Sequence, residues 1–103
     1  MDGLWRATAR ELIARLGLEA LPGEGGWFRR TWASPTELEP GRPAGSAIYF
    51  LLTPEPEGFS ALHRLESDEV YHFYAGDPVE LHRIVEEGRD RPVRLGQDIL
   101  GGE

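Results

Sequence analysis

The stretch GFSALHRLESDEVYHFYAG, residues 58–76, contains the features that decide the fold and the candidate chemistry. Two segments rich in aliphatic and aromatic residues, 59–65 and 70–74, stand on either side of a polar turn. This arrangement predicts two strands joined as a hairpin. His63 and Glu69 are six positions apart across it. Imidazole and carboxylate groups are common general acids and bases, so this pair is the candidate catalytic centre.

An amphipathic helix is predicted at the N-terminus, over residues 1–17. Its apolar residues recur with the 3.6-residue period of a helix, and Gly17 is well placed to end it. The apolar stripe consists of Trp5, Ala9, Leu12, Ile13 and Leu16. We expect this stripe to pack on a sheet.

The chain from residue 24 to residue 98 is predicted to form an antiparallel β core. The 13 glycines and 8 prolines make 21 of 103 residues, a proportion typical of short strands joined by turns. The segment 46–53, SAIYFLLT, is continuously apolar, which predicts a central strand buried on both faces. Residues 33–45 are predicted to be a long surface loop. Further strands are expected at 27–32, 79–85 and 93–95.

The composition excludes several classes of chemistry. The chain has no cysteine and all 11 of its basic residues are arginine, which removes disulfides, thiol nucleophiles and lysine Schiff bases. Against 18 acidic residues the net charge is −7, which argues against binding a phosphate backbone. No apolar run approaches the ~20 residues of a membrane-spanning helix, and the N-terminus does not resemble a signal peptide. These features predict a cytoplasmic protein with neither nucleic-acid nor membrane partners.

Four segments resemble the cupin superfamily, and more closely a bacterial and fungal cupin subfamily of largely unassigned function. They are EGGWFRRTW (24–32), SAIYFLLTP (46–54), FSALHRLESDEVYHFYAGDPVELH (59–82) and LGQD (95–98). The resemblance implies a mainly β fold and one domain over residues 1–103, in which an N-terminal helix precedes an antiparallel jelly-roll barrel with an internal pocket. Members of the subfamily continue past the terminal Gly-Gly-Glu into a second cupin motif, so we expect an incomplete barrel.

The chain departs from the cupin pattern at several positions. Leu65 stands where the first cupin motif has its second histidine, as we expect for this subfamily. Leu21-Pro22 and an added Gly23 stand where the subfamily has His-Pro, and Arg30 replaces a usual glutamate.

Cupins usually hold a divalent metal such as Fe, Mn, Ni or Zn with two or three histidines and a glutamate. Only His63 and Glu69 match that ligand set here. Two ligands rarely make a tight site, so no cofactor is certain. Two alternatives therefore remain, a metal held by His63 and Glu69 or a pocket without a metal.

The resemblance and the strand pattern together predict a small-molecule pocket. In a strand Glu69, Tyr71 and Phe73 share one face, because side chains alternate. A carboxylate beside aromatic rings suits a polar ring or a sugar, with His63 as a proton shuttle. The predicted lining residues are Trp27, Arg29, Tyr71 and Phe73. In a plainer interpretation the aromatic residues form core and Glu69 pairs with an arginine, Arg29 or Arg64.

Two functions therefore stay open. The first is a cupin that binds a small molecule, with isomerase- or epimerase-like chemistry on a sugar-like or acid ligand. The alternative is a non-catalytic, truncated cupin that acts as a structural or interaction module.

A jelly roll uses about eight strands, and five or six leave an open edge that invites pairing with another chain. We therefore expect a homodimer formed through strand pairing.

Overall fold

The structure, a computed structural model, describes residues 7–65 and 67–103. Trp5, part of the predicted apolar stripe, lies outside the described residues. The described chain forms two units, 7–65 and 67–103, and each is presented by itself. The elements are α1 (Ala9–Leu16), β1 (Glu19–Ala20), β2 (Trp27–Ala33), β3 (Glu37–Glu39), β4 (Arg42–Pro43), β5 (Ser46–Leu51), β6 (Val79–Leu81) and β7 (Val93–Leu95).

Helix α1 is closed at both ends by side-chain and backbone caps. The Thr8 hydroxyl accepts a hydrogen bond from the Glu11 backbone N–H at 3.2 Å, and the Glu11 carboxylate accepts from the Thr8 backbone N–H at 3.0 Å. This reciprocal capping box satisfies two N–H groups that a helix start leaves without partners. Gly17 adopts the left-handed conformation, with φ 65°, and its N–H donates to the Ile13 carbonyl. The prediction that the helix ends at Gly17 is confirmed.

The sheet of unit 7–65 is antiparallel, with strand order β1-β2-β5. Trp27 is opposite Leu51 and Arg29 is opposite Tyr49, so these four side chains share one face of the sheet. The cap of α1 leads into this sheet through Leu18, which is only 7% exposed. The predicted fold class, a helix followed by antiparallel strands, is confirmed, and the described residues form no closed barrel.

Strand β5 differs from its prediction. The continuous apolar run was expected to be central and buried on both faces, but β5 lies at the edge of the sheet and, among the described residues, pairs with β2 alone. Only Phe50 and Leu51 are half-buried, and the four residues before them are exposed. The prediction was wrong because an apolar sequence indicates only that a strand favours burial. It does not determine whether a second strand pairs with it and covers it.

The predicted loop 33–45 contains a small hairpin formed by β3 and β4. Its turn is Pro40-Gly41, where Gly41 has φ 82° and donates its backbone N–H to the Glu37 carboxylate. The sequence ELE of β3 lacks the β-branched and aromatic residues that mark strands. For that reason the hairpin was not predicted.

The segments 59–65 and 70–74 were predicted to be paired strands, and this prediction was wrong. The structure assigns no strand to the described residues between 59 and 78. Part of the reason is that Ala61 donates its backbone N–H to the Glu24 carbonyl instead of to a strand neighbour. Without a ladder, strand alternation does not fix a common face for Glu69, Tyr71 and Phe73.

Unit 67–103 contains the antiparallel hairpin of β6 and β7, in which Glu80 is opposite Arg94. A single bridge between Ile84 and Asp90 continues the pairing toward the turn. The C-terminal loop folds around Glu103, whose carboxylate accepts from the Asp98 backbone N–H at 3.0 Å and lies 3.1 Å from the Arg94 Nε. These contacts explain why a glycine- and acid-rich tail has a defined conformation.

His82, which directly follows β6, has carboxylate partners on both sides of the hairpin turn. Its Nδ1 lies 2.7 Å from the Asp90 carboxylate, and its Nε2 lies 3.6 Å from Glu80. The hydrogen bond to Asp90, followed by the charge of Asp90, raises the pKa of His82. Protonated His82 therefore favours the folded hairpin.

We expect the stabilising contribution of His82 to be complete in mild acid and to disappear as the pH rises through its raised pKa. The sign follows from linkage, because the folded state binds the proton more tightly than the unfolded state. An NMR titration of the His82 ring should give a midpoint above that of an unstructured histidine, and Asp90→Asn should lower it. A midpoint unchanged by Asp90→Asn would contradict the assignment.

Candidate functional site

The candidate site lies where the turn before β2 meets the chain after β5. Gly25 and Gly26 both adopt positive φ, 86° and 82°. A Cβ at Gly25 would overlap the Phe59 carbonyl, and one at Gly26 would collide with the Phe50 ring. The Glu24 carbonyl accepts from Ala61 N–H at 2.6 Å. Glycine is required at residue 25 because the two backbones approach more closely than a side chain permits, and at residue 26 because a side chain would collide with the Phe50 ring.

This close approach places His63 beside Glu24. The His63 Nδ1 lies 2.7 Å from the Ala61 carbonyl oxygen. A carbonyl only accepts, so Nδ1 carries the hydrogen and Nε2 is the position that gains or loses a proton. Nε2 lies 3.7 Å from the Glu24 carboxylate, and the two side chains are 25% and 45% exposed. The Glu24 carboxylate therefore faces Nε2 from beyond hydrogen-bond distance.

A cavity of about 400 Å³ is lined by Glu24, while His63 lies behind its wall. Glu24 and Ala61, the two contacts of His63, both form part of its wall. The remaining lining is largely apolar, so Glu24 is the charged group in the wall. The other lining residues are Ala20, Leu21, Pro22, Gly23, Gly25, Pro56 and Phe59. An apolar cavity with a few polar groups is a typical small-molecule site.

Substituting Gly25 by alanine should destabilise the protein more than the same change at Gly23. Both residues have positive φ, but a Cβ at Gly23 meets open space. We expect Gly23→Ala to cost about 1 kcal/mol through backbone strain and Gly25→Ala about 3 kcal/mol, because overpacking adds to that strain. Urea unfolding measures both values. Equal costs would show that the close approach does not constrain residue 25.

The other predicted residues of unit 7–65 lie on the helix side of the sheet. Arg29 donates through Nη1 to the Leu16 carbonyl at 3.1 Å, at the end of α1 where a positive charge is favourable. Trp27 lines a second cavity together with residues of α1. The structure therefore does not bring Trp27 into the cavity beside His63. A ligand-binding role for Arg29 stays a prediction.

Glu69, Tyr71 and Phe73 belong to unit 67–103. Glu69 and Tyr71 are exposed and Phe73 is half-buried. The pairing of His63 with Glu69, and the pocket lined by the aromatic residues, stay predictions. The carboxylate that the structure places beside His63 within its own unit is Glu24.

Sequence reasoning missed Glu24 as a functional residue. Glu24-Gly25-Gly26 was interpreted only as a turn, because consecutive glycines are strong turn formers. The two glycines did carry a further signal. They mark close backbone approach, and the residue beside such a contact is held in a defined position.

The described residues do not form a ready-made site for a divalent metal, and a metal held by His63 and Glu69 stays a prediction. Among the described residues no group of three or more histidines, cysteines or carboxylates is placed to hold one. His63 uses Nδ1 on the Ala61 carbonyl, which leaves it one ring nitrogen as a donor. The chemistry considered below therefore uses the side chains alone.

The comparisons with known proteins agree with this fold. The family model described as Cupin superfamily (DUF985) matches residues 10–103, so the chain belongs to the cupin superfamily. Its structure is similar to the X-ray crystal structure of protein SO0799 from Shewanella oneidensis, a structural genomics target, with a TM-score of 0.83 and 38% sequence identity. The similarity covers 94% of this chain and 60% of that one, so the chain spans about 60% of the length of that protein. No curated protein shows significant similarity to the present chain.

The described residues include no helix with the length and apolarity needed to cross a bilayer.

Proposed function

We propose that the chain is a cytoplasmic small-molecule-binding cupin whose ligand occupies the cavity beside His63 and Glu24. The observation that carries the proposal is the orientation of the His63 ring. The Ala61 carbonyl holds Nδ1–H, and Glu24 faces Nε2 from 3.7 Å. A histidine held in one tautomer beside a carboxylate is arranged to accept a proton and to keep the resulting charge stable.

The reaction class that suits this arrangement is an isomerisation or epimerisation of a sugar-like or acid ligand. His63 Nε2 takes a proton from a carbon next to a carbonyl, and the electron pair moves onto the carbonyl oxygen as an enolate. Return of a proton to either face of that carbon restores the carbonyl. Glu24 stabilises the imidazolium between the two steps.

Proton exchange with solvent gives a direct test. We expect a panel of aldoses, sugar acids and 2-hydroxy acids in D₂O to include a compound that gains deuterium at the carbon next to its carbonyl. His63→Gln should slow this exchange at least about 100-fold, the usual contribution of a general base. Glu24→Gln should slow it about fivefold, because a half-exposed ion pair contributes up to about 1 kcal/mol.

Two further variants make the test specific. His72→Gln is the matched control, because His72 is exposed and has no part in the proposal. Glu69→Gln tests the carboxylate that the sequence paired with His63. A large loss with Glu69→Gln and none with Glu24→Gln would transfer the role to Glu69. Exchange unchanged in His63→Gln, or none with any compound, would favour a non-catalytic structural or interaction module.

A second proposal, assembly as a homodimer, rests on strand β5. Within the described residues β5 pairs only with β2, so its outer edge has unpaired backbone groups. Ile48 and Tyr49 on this strand are exposed. An exposed apolar edge strand is a template for pairing with a second copy.

We expect the protein to sediment as a dimer at micromolar concentration and Ile48→Lys to convert it to a monomer. Two lysines facing each other across the twofold axis repel, and charged residues are a common means of blocking edge strands. Leu38→Lys is the control, since Leu38 is also exposed but lies on β3. A monomeric wild type, or dissociation by both variants alike, would refute pairing through β5.

A further inference from the structure

The charge of the lining restricts the ligands that suit the cavity of about 400 Å³. None of the lining residues that the structure describes is an arginine or a histidine, and the chain contains no lysine. Arg64, which follows His63 in the chain, is exposed and is not part of the lining. Glu24 is the charged lining residue, and the whole chain has a net charge of −7. A bound carboxylate would therefore leave water without a cation to replace its hydration.

The backbone of the lining offers few hydrogen bonds to a ligand. The N–H groups of Leu21, Gly25 and Ala61 already donate to carbonyl groups of the protein, at 2.9, 3.0 and 2.6 Å. Pro22 and Pro56 have no N–H to donate. A ligand with many hydroxyl groups would lose hydrogen bonds to water that this wall does not replace. The lining therefore disfavours a polyhydroxylated sugar as well as an acid.

The side chains of the lining favour an apolar carbon skeleton. Leu21, Pro22, Pro56 and Phe59 provide aliphatic and aromatic surface, and Phe59 is 68% exposed. Removing such surface from water is favourable in proportion to its area. The volume of the cavity is near the lower end of the range for small-molecule sites, which suits a compact ligand.

We propose that the ligand of this cavity is a neutral hydroxyketone or hydroxyaldehyde with few hydroxyl groups and an apolar carbon chain. The inference rests on the proposed function, which places the ligand in this cavity and requires a carbonyl beside the carbon that exchanges its proton. It narrows the sugar-like and acid ligands considered there to neutral compounds with little polar surface.

Four compounds separate the effects of charge, hydroxyl content and apolar area. Acetoin is the neutral reference, and lactate has a carboxylate oxygen in place of one acetoin methyl group. Erythrulose adds two hydroxyl groups to acetoin, and propioin adds two methylene groups. Binding is measured by NMR titration of the ¹⁵N-labelled full chain. The backbone N–H signals of Gly23 and Gly25, in the cavity wall, are the readout, and that of Gly41, in the β3–β4 turn, is the control.

We expect propioin to bind most tightly of the four compounds. It should bind about tenfold more tightly than acetoin, because the burial of each methylene group is favourable. Erythrulose should bind about fivefold more weakly than acetoin, since its added hydroxyl groups lose hydrogen bonds to water. Lactate should produce no saturable shift. Lactate or erythrulose binding as tightly as propioin, or no saturable shift with any of the four, would overturn the inference.

Leu21→Arg supplies the cation that the wall lacks. It should make lactate binding measurable and weaken propioin binding, because a charge replaces apolar surface. Leu38→Arg is the matched control, since Leu38 is exposed on β3 and does not line the cavity. The spectra of both variants show whether each is folded. Equal lactate binding by the two folded variants would show that the charge of the lining does not exclude acids, and would overturn the inference.

Deuterium exchange of propioin in D₂O separates this inference from the proposed function. Saturable binding of propioin without exchange would support the ligand class and refute proton transfer by His63. Exchange of lactate or erythrulose, but not of propioin, would overturn the ligand class and leave the proton transfer supported. His63→Gln should abolish the exchange of propioin and preserve the order in which the four compounds bind, because His63 is not a lining residue.

Discussion

The close contact between Glu24-Gly25-Gly26 and the chain at Phe59–Ala61 is the constraint on which the organisation of unit 7–65 depends. Gly25 and Gly26 both adopt positive φ there, and the contact leaves no room for a Cβ at Gly25, while the Phe50 ring excludes one at Gly26. The hydrogen bond from Ala61 to Glu24 holds the two segments together and brings His63 to the Glu24 carboxylate. It also forms part of the wall of the larger cavity. Backbone packing thus comes first, and the candidate chemistry is its consequence.

The same sheet provides two different environments. On the helix side, Arg29 satisfies a carbonyl at the end of α1, and Trp27 and Thr53 line a small cavity. The cavity beside His63 is larger, and its charged wall residue is Glu24. Because the two cavities have no lining residue in common, each can evolve or be altered without the other.

The parts of this fold that could be predicted are those with a local physical signal. The helix was found because its period and Gly17 are encoded in adjacent residues, and the family was recognised because the string around Ser67-Asp68-Glu69 is specific. The edge position of β5 could not be predicted, because an apolar run does not say how many strands will pair with it. Glu24 was missed for a related reason. Its role arises from a backbone contact with residues more than thirty positions away in the chain, and the glycines that permit the contact look like an ordinary turn.

Shallow burial within the described residues has a thermodynamic consequence. Among the described residues, Leu18 is the one hydrophobic residue that is almost fully buried from solvent. Large apolar side chains such as Trp32, Phe59 and Val70 remain exposed. The heat capacity of unfolding depends mainly on newly hydrated apolar area, so this chain should have a small value and a correspondingly flat dependence of stability on temperature. Any association that covers these groups should carry a distinctly negative heat capacity change. Calorimetry over several temperatures would therefore distinguish an event that buries an apolar face from one that fills a polar cavity, even where the two affinities are equal.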